Sequence, residues 1–187
     1  MAKSHRLPFH LSDNTVNKPL SLIHGVIWGP LSYSTSRIKY YVLFIDDFSK
    51  FTWIYPLLYK SEVFYKFQEF KVFVENQFDT RLKNFRTDGG GEYTSTQFEL
   101  FLKNHGILNQ LFSPHTPPQN RVAERKHRHL ISTTIAFLHQ SGFSLSHWFD
   151  ALATSIFLIN RLPSSKLHNK TPFEILGVFG KKKNSLV

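Results

Sequence analysis

Hydrophobic residues follow two different periods along the chain, and the change of period predicts where strands and helices lie. Three apolar runs rich in aromatic and β-branched residues come first, at 20–28, 38–45 and 51–58. Turn residues such as Gly29 and Asp46 separate these runs, as is typical of short strands. We therefore predict that the chain opens with three antiparallel strands.

After residue 60 the apolar positions recur at steps of three and four, which is the period of an amphipathic helix. The stripe comprises Val63, Phe67, Phe70, Val74 and Phe78. Ser61 lies just before the stripe, where a serine hydroxyl can accept a hydrogen bond from the first helical turn. The pattern predicts a helix that Ser61 caps and whose phenylalanine stripe lies in the core.

The second half of the chain alternates short apolar runs with helical stretches. The predicted elements are strands at 83–87 and 107–112 and helices at 95–106, 119–140 and 144–161. Ser95 is the expected cap of the first of these helices, and Gly106 is its expected end. The order β-β-β-α-β-α-β-α-α predicts a mixed α/β fold, in which a sheet carries helices on its faces.

The composition of the chain is that of a folded, basic domain. Of the 187 residues, 41% are hydrophobic, and 23 Lys and Arg against 13 Asp and Glu give a net charge of +10. An excess of that size favours nucleic acid as a partner over an acidic membrane surface. The apolar runs are too short for the ~20 residues of a membrane-spanning helix, and no secretory signal is recognisable. We expect a soluble, intracellular protein.

The chain contains no cysteine. This excludes disulfides, thiol nucleophiles, cysteine-ligated zinc and iron–sulfur clusters within it.

Two carboxylates have the setting of a metal site. Asp88 directly follows a predicted strand and precedes three glycines, and Glu124 lies near the start of the long predicted helix, with 35 residues between the two. Oxygen ligands held on rigid elements suit Mg²⁺, and paired ions of this kind catalyse phosphodiester chemistry. Alternatively, Asp88 is a turn residue and Glu124 is favoured by the helix dipole. On spacing alone this alternative is the stronger.

Motifs around both carboxylates resemble a known family. Segment 85–93 reads FRTDGGGEY and segment 113–126 reads SPHTPPQNRVAERK. They resemble the second-acid and third-acid segments of the integrase catalytic core of copia-type LTR retrotransposons. Similar segments occur in the family's order at 3–9 (KSHRLPF), 23–30 (IHGVIWGP), 44–49 (FIDDFS), 160–163 (NRLP) and 171–174 (TPFE). The resemblance covers essentially the whole chain.

The resemblance implies an RNase H-like fold and a D,D-35-E site that uses Mg²⁺ or Mn²⁺ to process and join DNA ends. It assigns Asp88 as the second acid and Glu124 as the third, both as catalytic metal ligands. The family's first acid falls on Val26, which has no oxygen to bind a cation. We therefore expect a polynucleotidyl transferase by descent whose catalysis is lost and whose metal binding is weakened.

Two further acids, Asp46 and Asp47, are the candidates to substitute for the missing one. Asp46 and Asp47 resemble a pair in the family that is not catalytic, and a turn and hydrogen-bonding role is favoured for them. Arg121 is a second departure, because the family usually has glycine there. An arginine at this position adds a phosphate-binding charge but stiffens the loop before the third acid.

Basic residues crowd the start of the long predicted helix beside Glu124. Arg121, Arg125 and Arg128 fall at steps of four and three, so they share a helical face, and Lys126 lies among them. A DNA backbone can lie along such a stripe and release counterions at each contact. The alternative is a solvated helix face. We expect these four residues to bind DNA.

The resemblance divides the chain into an extended lead-in at 1–19, a catalytic core at 20–162 and a tail of a truncated polyprotein at 163–187. It implies duplex DNA ends and target DNA as partners, a homo-oligomer and a nuclear location. Three interpretations stay open: an integrase core, a non-catalytic DNA- or RNA-binding remnant, and an interaction domain in which the acids are idle. Val26 favours the second over the first.

Overall fold

The computed structural model describes residues 16–31, 34–111 and 117–180, with the side chains of α3 described from Ala123 onward. The strands are β1 (Ile23–Trp28), β2 (Tyr40–Asp46), β3 (Thr52–Leu57), β4 (Asn84–Thr87) and β5 (Leu108–Leu111). The helices are α1 (Val63–Phe78), α2 (Thr96–Asn104), α3 (Pro117–Ser141), α4 (Trp148–Ile159) and α5 (Pro172–Gly177).

The five strands form one mixed sheet in the order β3-β2-β1-β4-β5. Residues 29–39 connect β1 to β2 and the turn at 47–51 connects β2 to β3, and both pairs of strands are antiparallel. β4 and β5 follow α1 and α2 respectively, and such helical crossovers produce the parallel pairs β1–β4 and β4–β5. The predicted mixed α/β fold and the order of its first nine elements are confirmed.

An aromatic core fills one face of the sheet, beneath α1 and α2. Phe67 of α1 lies 4.4 Å from Phe85 of β4 between ring centroids, and Phe70 stacks on Phe44 of β2 at the same separation. Phe98 of α2 packs against Phe67 at 5.0 Å. The stripe predicted from the helical period is therefore buried in this core.

The opposite face of the sheet packs against α3 and α4. Because side chains alternate between the faces of a strand, Val42 and Phe44 of β2 face the aromatic core, while Leu43 and Ile45 face α3 and α4. In β1, Val26 belongs to this second core, which includes Leu130 of α3 and Leu152 of α4. The face that carries α3 is the one that matters for the acidic residues.

Two local predictions need correction. Ser61 does not cap α1: a 3-10 turn at Lys60–Glu62 precedes the helix, and the Glu62 carboxylate accepts hydrogen bonds from the backbone N–H groups of Leu58 and Tyr59. The long helix also begins at Pro117 rather than near residue 119. By contrast, the Ser95 hydroxyl accepts a hydrogen bond from the Phe98 N–H, as predicted.

The segment after α4 contains a helix that the apolar pattern did not predict. Thr171 caps α5 by accepting a hydrogen bond from the Glu174 N–H, and the Glu174 carboxylate accepts one from the Thr171 N–H. Leu176 is fully buried in the aromatic core. The described part of the expected tail thus packs onto the domain. The boundaries at 1–19, 20–162 and 163–187 stay a prediction, and the motif at 3–9 lies outside the described residues.

Replacing Phe67 with alanine should lower the free energy of unfolding by about 3–5 kcal/mol, because it empties a fully buried ring position. Urea denaturation followed by circular dichroism measures the change. Phe143→Ala is the matched control: it removes the same atoms from a ring that is 65% exposed and should cost less than about 1 kcal/mol. Equal losses in the two variants would contradict this account of the core.

Candidate active site

The parallel pairing of β1 with β4 brings the position of Val26 next to Asp88. The register pairs Gly25 with Thr87, and the next residue along each strand is Val26 and Asp88. Registered residues of parallel neighbours project to the same face of a sheet. The two positions therefore adjoin on the face that carries α3, which is the relation that the resemblance implies for the first and second acids.

Val26 belongs to the apolar packing of that face. Its side chain is only 5% exposed and lies in the core formed with α3 and α4. A valine there is well accommodated by its neighbours, but it offers no donor atom to a cation.

Asp88 is exposed at the end of β4 and begins a tight turn. Its Oδ1 accepts a hydrogen bond of 3.1 Å from the Gly90 N–H. A Cβ atom on Gly90 would stand 2.6 Å from Glu92 Oε2 and 3.4 Å from Asp88 Oδ1, so glycine lets the turn fold close to both carboxylates. Glu92 itself pairs with Lys60 at 3.4 Å. Asp88 therefore has a structural role in this turn, and its carboxylate also faces solvent.

Glu124 lies on the exposed side of α3, in a groove with Trp28 of β1 and Arg128. α3 begins at Pro117, about two turns before Glu124. The helix-dipole effect is confined to roughly the first turn. The dipole therefore does not explain a glutamate at this position, and the alternative offered by the sequence loses its basis for Glu124.

The donor set does not fit a resident divalent cation of the two-metal type. Within residues 16–31, 34–111 and 117–180, no three or more His, Asp or Glu side chains are grouped so that they could hold a metal ion. Asp88 and Glu124 have carboxylates, whereas Val26, at the position that the resemblance assigns to the first acid, has only a hydrocarbon side chain and no oxygen donor. Ligation by Asp88 and Glu124 stays a prediction.

Asp46 holds together the turn between β2 and β3. Its carboxylate accepts hydrogen bonds from the Leu20 N–H at 2.8 Å and from the N–H and hydroxyl of Ser49 at 2.8 and 2.6 Å. Burial raises the pKa of Asp46, and these hydrogen bonds act in the opposite direction. The predicted structural role is confirmed, and Asp46 does not replace the missing acid.

Asp47 likewise has polar partners, one histidine and one lysine. Its Oδ1 lies 3.0 Å from His24 Nε2 and 3.0 Å from Lys50 Nζ. Burial alone would raise the pKa of Asp47, but the hydrogen bond from His24 and the charge of Lys50 outweigh it and lower that pKa. Asp47 is an ion-pair partner rather than a substitute for the first acid.

The structure divides the predicted basic stripe between two grooves. Arg128 lines the groove that contains Glu124. Arg125 and Lys126 line a different groove, together with Lys50 of the β2–β3 turn. The side chain of Arg121 lies outside the described residues. The four residues proposed to bind DNA therefore do not form one continuous surface in the described part of the chain.

A match to a family model shows which protein family this chain belongs to. The family model described as the integrase core domain matches residues 16–117, which is more than half of the chain. The chain belongs to the integrase core domain family. The matched segment contains β1 to β5, and with them both Val26 and Asp88.

Curated relatives of this integrase core are polyproteins of plant transposons. The retrovirus-related Pol polyproteins from transposons RE2 and RE1 of Arabidopsis thaliana are each 39% identical over 182 residues, which is 97% of this chain. The Pol polyprotein from transposon TNT 1-94 of Nicotiana tabacum is 39% identical over 171 residues, or 91% of the chain. The chain spans only 12–13% of the length of these relatives.

Solved structures of retroviral integrases share the fold of this integrase core. A simian T-cell lymphotropic virus intasome, in complex with the PP2A regulatory subunit B56 gamma, superposes with a TM-score of 0.68 at 18% identity, covering 84% of this chain and 54% of its own. The HTLV-2 integrase catalytic core domain in complex with magnesium, in its trimeric form, gives 0.60 at 16% identity, covering 84% and 96%. The predicted RNase H-like fold is confirmed.

Helix α3 of this integrase core is fixed to the sheet by a residue that sequence reasoning missed. The His127 ring stacks on Trp28 of β1, with centroids 3.4 Å apart and planes inclined by 6°. Its Nε2 lies 2.7 Å from the Tyr41 hydroxyl of β2. Burial lowers the pKa of His127 to about 4. A neutral imidazole therefore joins the helix turn that carries Glu124 to β1 and β2.

The sequence contains both residues of this contact, but no local pattern predicts that they meet. Trp28 follows Val26 by two positions and His127 follows Glu124 by three. In the sequence His127 stands between Lys126 and Arg128, whereas in the structure it is an aromatic partner of Trp28. As for membranes, none of the helices in the described ranges is both long and apolar enough to cross a bilayer.

The stability of the integrase core should fall between about pH 6.5 and pH 4 partly through His127. Its pKa is lowered in the folded state to about 4 from an ordinary 6.5, so in this window the unfolded chain binds more protons and acid favours unfolding. His127→Phe keeps a ring against Trp28 but cannot titrate. Its free energy of unfolding, measured with urea, should therefore depend less on pH across the window than that of the wild type.

His139→Phe is the matched control for that experiment, because His139 is exposed on the same helix. It should keep the pH dependence of the wild type. If His127→Phe also keeps it, the buried neutral state of His127 is wrong.

Proposed function

We propose that this chain is the core of a copia-type retrotransposon integrase that binds DNA but has lost the chemistry of end processing and strand transfer. The observation that carries the proposal is the valine at position 26, directly beside Asp88 on the face that carries α3. The motif order along the chain and the plant transposon relatives support the copia-type assignment.

The loss of catalysis follows from ligand chemistry. Two-metal phosphodiester cleavage needs carboxylates that hold both ions and stabilise the attacking and leaving oxygens. Hard cations bind oxygen and not hydrocarbon, and Val26 places hydrocarbon in the position of the first acid. Asp88 and Glu124 remain as the two ligands of Mg²⁺ or Mn²⁺, and we expect their affinity for either ion to be weak.

DNA binding rests on charge and on its placement. The net charge is +10, and Arg128 lies in the same groove as Glu124. A guanidinium in that position can pair with a backbone phosphate, and Arg121 at the start of α3 adds a further charge. The intasome among the solved neighbours supports duplex DNA ends and target DNA as partners and a homo-oligomer as the working form. We propose the nucleus as the site of action.

Val26→Asp should create a site whose occupancy by metal stabilises the fold. A carboxylate introduced into this apolar environment is costly unless a cation compensates it, and a ligand that binds only the folded state stabilises it by about 2.7 kcal/mol at a hundred times its Kd. The melting temperature of Val26→Asp should therefore rise on addition of Mg²⁺ or Mn²⁺. Isothermal calorimetry should detect binding that is stronger than in the wild type.

Val26→Asn is the matched control, since it has the same size and polarity but lacks the charge. The double variant Val26→Asp with Glu124→Gln should lose most of the metal-dependent shift. A DNA end-joining assay completes the test. Metal-dependent joining by the wild type at the level of Val26→Asp would show that Val26 has not abolished catalysis.

Affinity for duplex DNA should depend strongly on salt. Each neutralised phosphate contributes about 0.9 to the slope of log affinity against log salt concentration, so four contacts weaken binding roughly a hundredfold between about 50 and about 200 mM salt. Fluorescence anisotropy with a labelled duplex measures this slope. Arg128→Gln should reduce the slope by about one, whereas Lys103→Gln, an exposed change on α2, should leave it unchanged. A slope near zero for the wild type would disprove DNA binding and favour an interaction domain.

A further inference from the structure

A second basic groove lies between α3, the β2–β3 turn and the segment that connects α4 to α5. We call it the lysine groove, after Lys50 of the turn, Lys126 of α3 and Lys166 of the connecting segment, which all line it. Arg125 and His129 of α3 line it as well. Three parts of the chain that are distant in sequence therefore bring their cationic side chains to one concave surface.

The lysine groove has the size and composition of a ligand site. It encloses about 490 Å³, which falls within the roughly 300–1,000 Å³ typical of small-molecule pockets. Its lining also includes apolar side chains, among them Leu162, which is 55% exposed; we call these side chains the apolar floor. Such a surface fits a ligand that is partly apolar and also anionic.

The charges at the rim are not balanced within the lining itself. Among the described residues that line the groove, none is acidic. Lys50 is offset by Asp47, at 3.0 Å, whereas Lys126 donates a hydrogen bond to the Lys50 backbone carbonyl, at 3.2 Å. Burial, together with the nearby charge of Lys50, lowers the pKa of Lys126 to about 8. An anion in the groove would oppose this lowering of the Lys126 pKa, because an opposite charge favours the ammonium form.

This groove is separate from the one that contains Glu124. Side chains two residues apart on an α-helix are rotated by about 200° around the helix axis. Lys126 and Glu124 therefore project from different sides of α3. Arg128 lines the groove of Glu124, together with Trp28 of β1, and does not line the lysine groove. A duplex held by Arg128 at the acidic residues thus leaves the lysine groove available to a different part of the nucleic acid.

We propose that the lysine groove binds an unpaired nucleotide of single-stranded DNA, with the phosphate at Lys126 and Lys166 and the base on the apolar floor. A base has apolar faces that pack on such a floor, while its backbone phosphate pairs with the rim, which is how sequence-independent single-strand sites work. A base can pack its face against these side chains only when it is not stacked within a duplex. The proposal rests on the proposed function, in which the chain is a DNA-binding domain.

The test compares two labelled probes, a single-stranded oligothymidylate and a duplex, by fluorescence anisotropy. Lys126→Gln and Lys166→Gln should each weaken single-strand binding roughly three- to fivefold, the range expected of one partly exposed ion pair. Each should also reduce the salt slope by about 0.7. Neither variant should change duplex affinity as strongly as Arg128→Gln does. Lys103→Gln, exposed on α2 on the other side of the sheet, should match the wild type with both probes.

Lys166 is exposed, so its variant remains informative even if the partly buried Lys126 is needed for folding, which thermal melting reports. Single-strand affinity equal to that of Lys103→Gln would overturn the proposal, and so would an equal loss for both probes. If the lysine variants change nothing while Arg128→Gln weakens duplex binding, the groove inference fails and the proposed function stands. If the wild type binds neither probe, the proposed function itself fails.

Discussion

The parallel pairing of β1 with β4 is the constraint on which the rest of the molecule depends. Gly25 makes it possible, because a Cβ atom at that position would overlap the Phe85 ring. With glycine there, Phe85 lies against β1 and anchors the phenylalanine core beneath α1 and α2. The same pairing sets residues 26 and 88 side by side on the opposite face. One packing contact therefore both stabilises the domain and defines the geometry of its candidate active site.

The fold and the chemistry of an integrase core are separable at position 26. A carboxylate on this apolar face requires a bound cation to offset its burial, whereas valine satisfies the packing without one. In the proposed function, valine at this position therefore removes a demand on the fold at the same time as it removes a ligand. The proposal thus gives a physical reason why a five-stranded integrase-core sheet can persist without a two-metal site.

Different functional groups lie on the two sides of α3 because of how this helix packs against the sheet. The stack of His127 on Trp28 and the hydrogen bond with Tyr41 turn one side towards β1 and β2. That orientation places Glu124 and Arg128 in one groove and Lys126 in the other. Basic residues that are neighbours in sequence consequently line two different grooves. The three- and four-residue spacing of basic residues does not by itself show which groove each one lines.

The sequence by itself determined the order of strands and helices, because hydrophobic period and turn residues are local properties of the chain. Its motifs also led to the prediction of Asp88 and Glu124 as site residues and of Val26 at the position of the first acid, and these stay predictions. Only the tertiary structure decided which residues meet: Glu62 rather than Ser61 at the start of α1, α5 with Leu176 in the core, and His127 against Trp28. The Glu62 contacts are local, within four residues, but the burial of Leu176 and the stack of His127 on Trp28 depend on segments far apart in sequence. No local pattern encodes such contacts, since they arise when the sheet assembles and its two faces are covered.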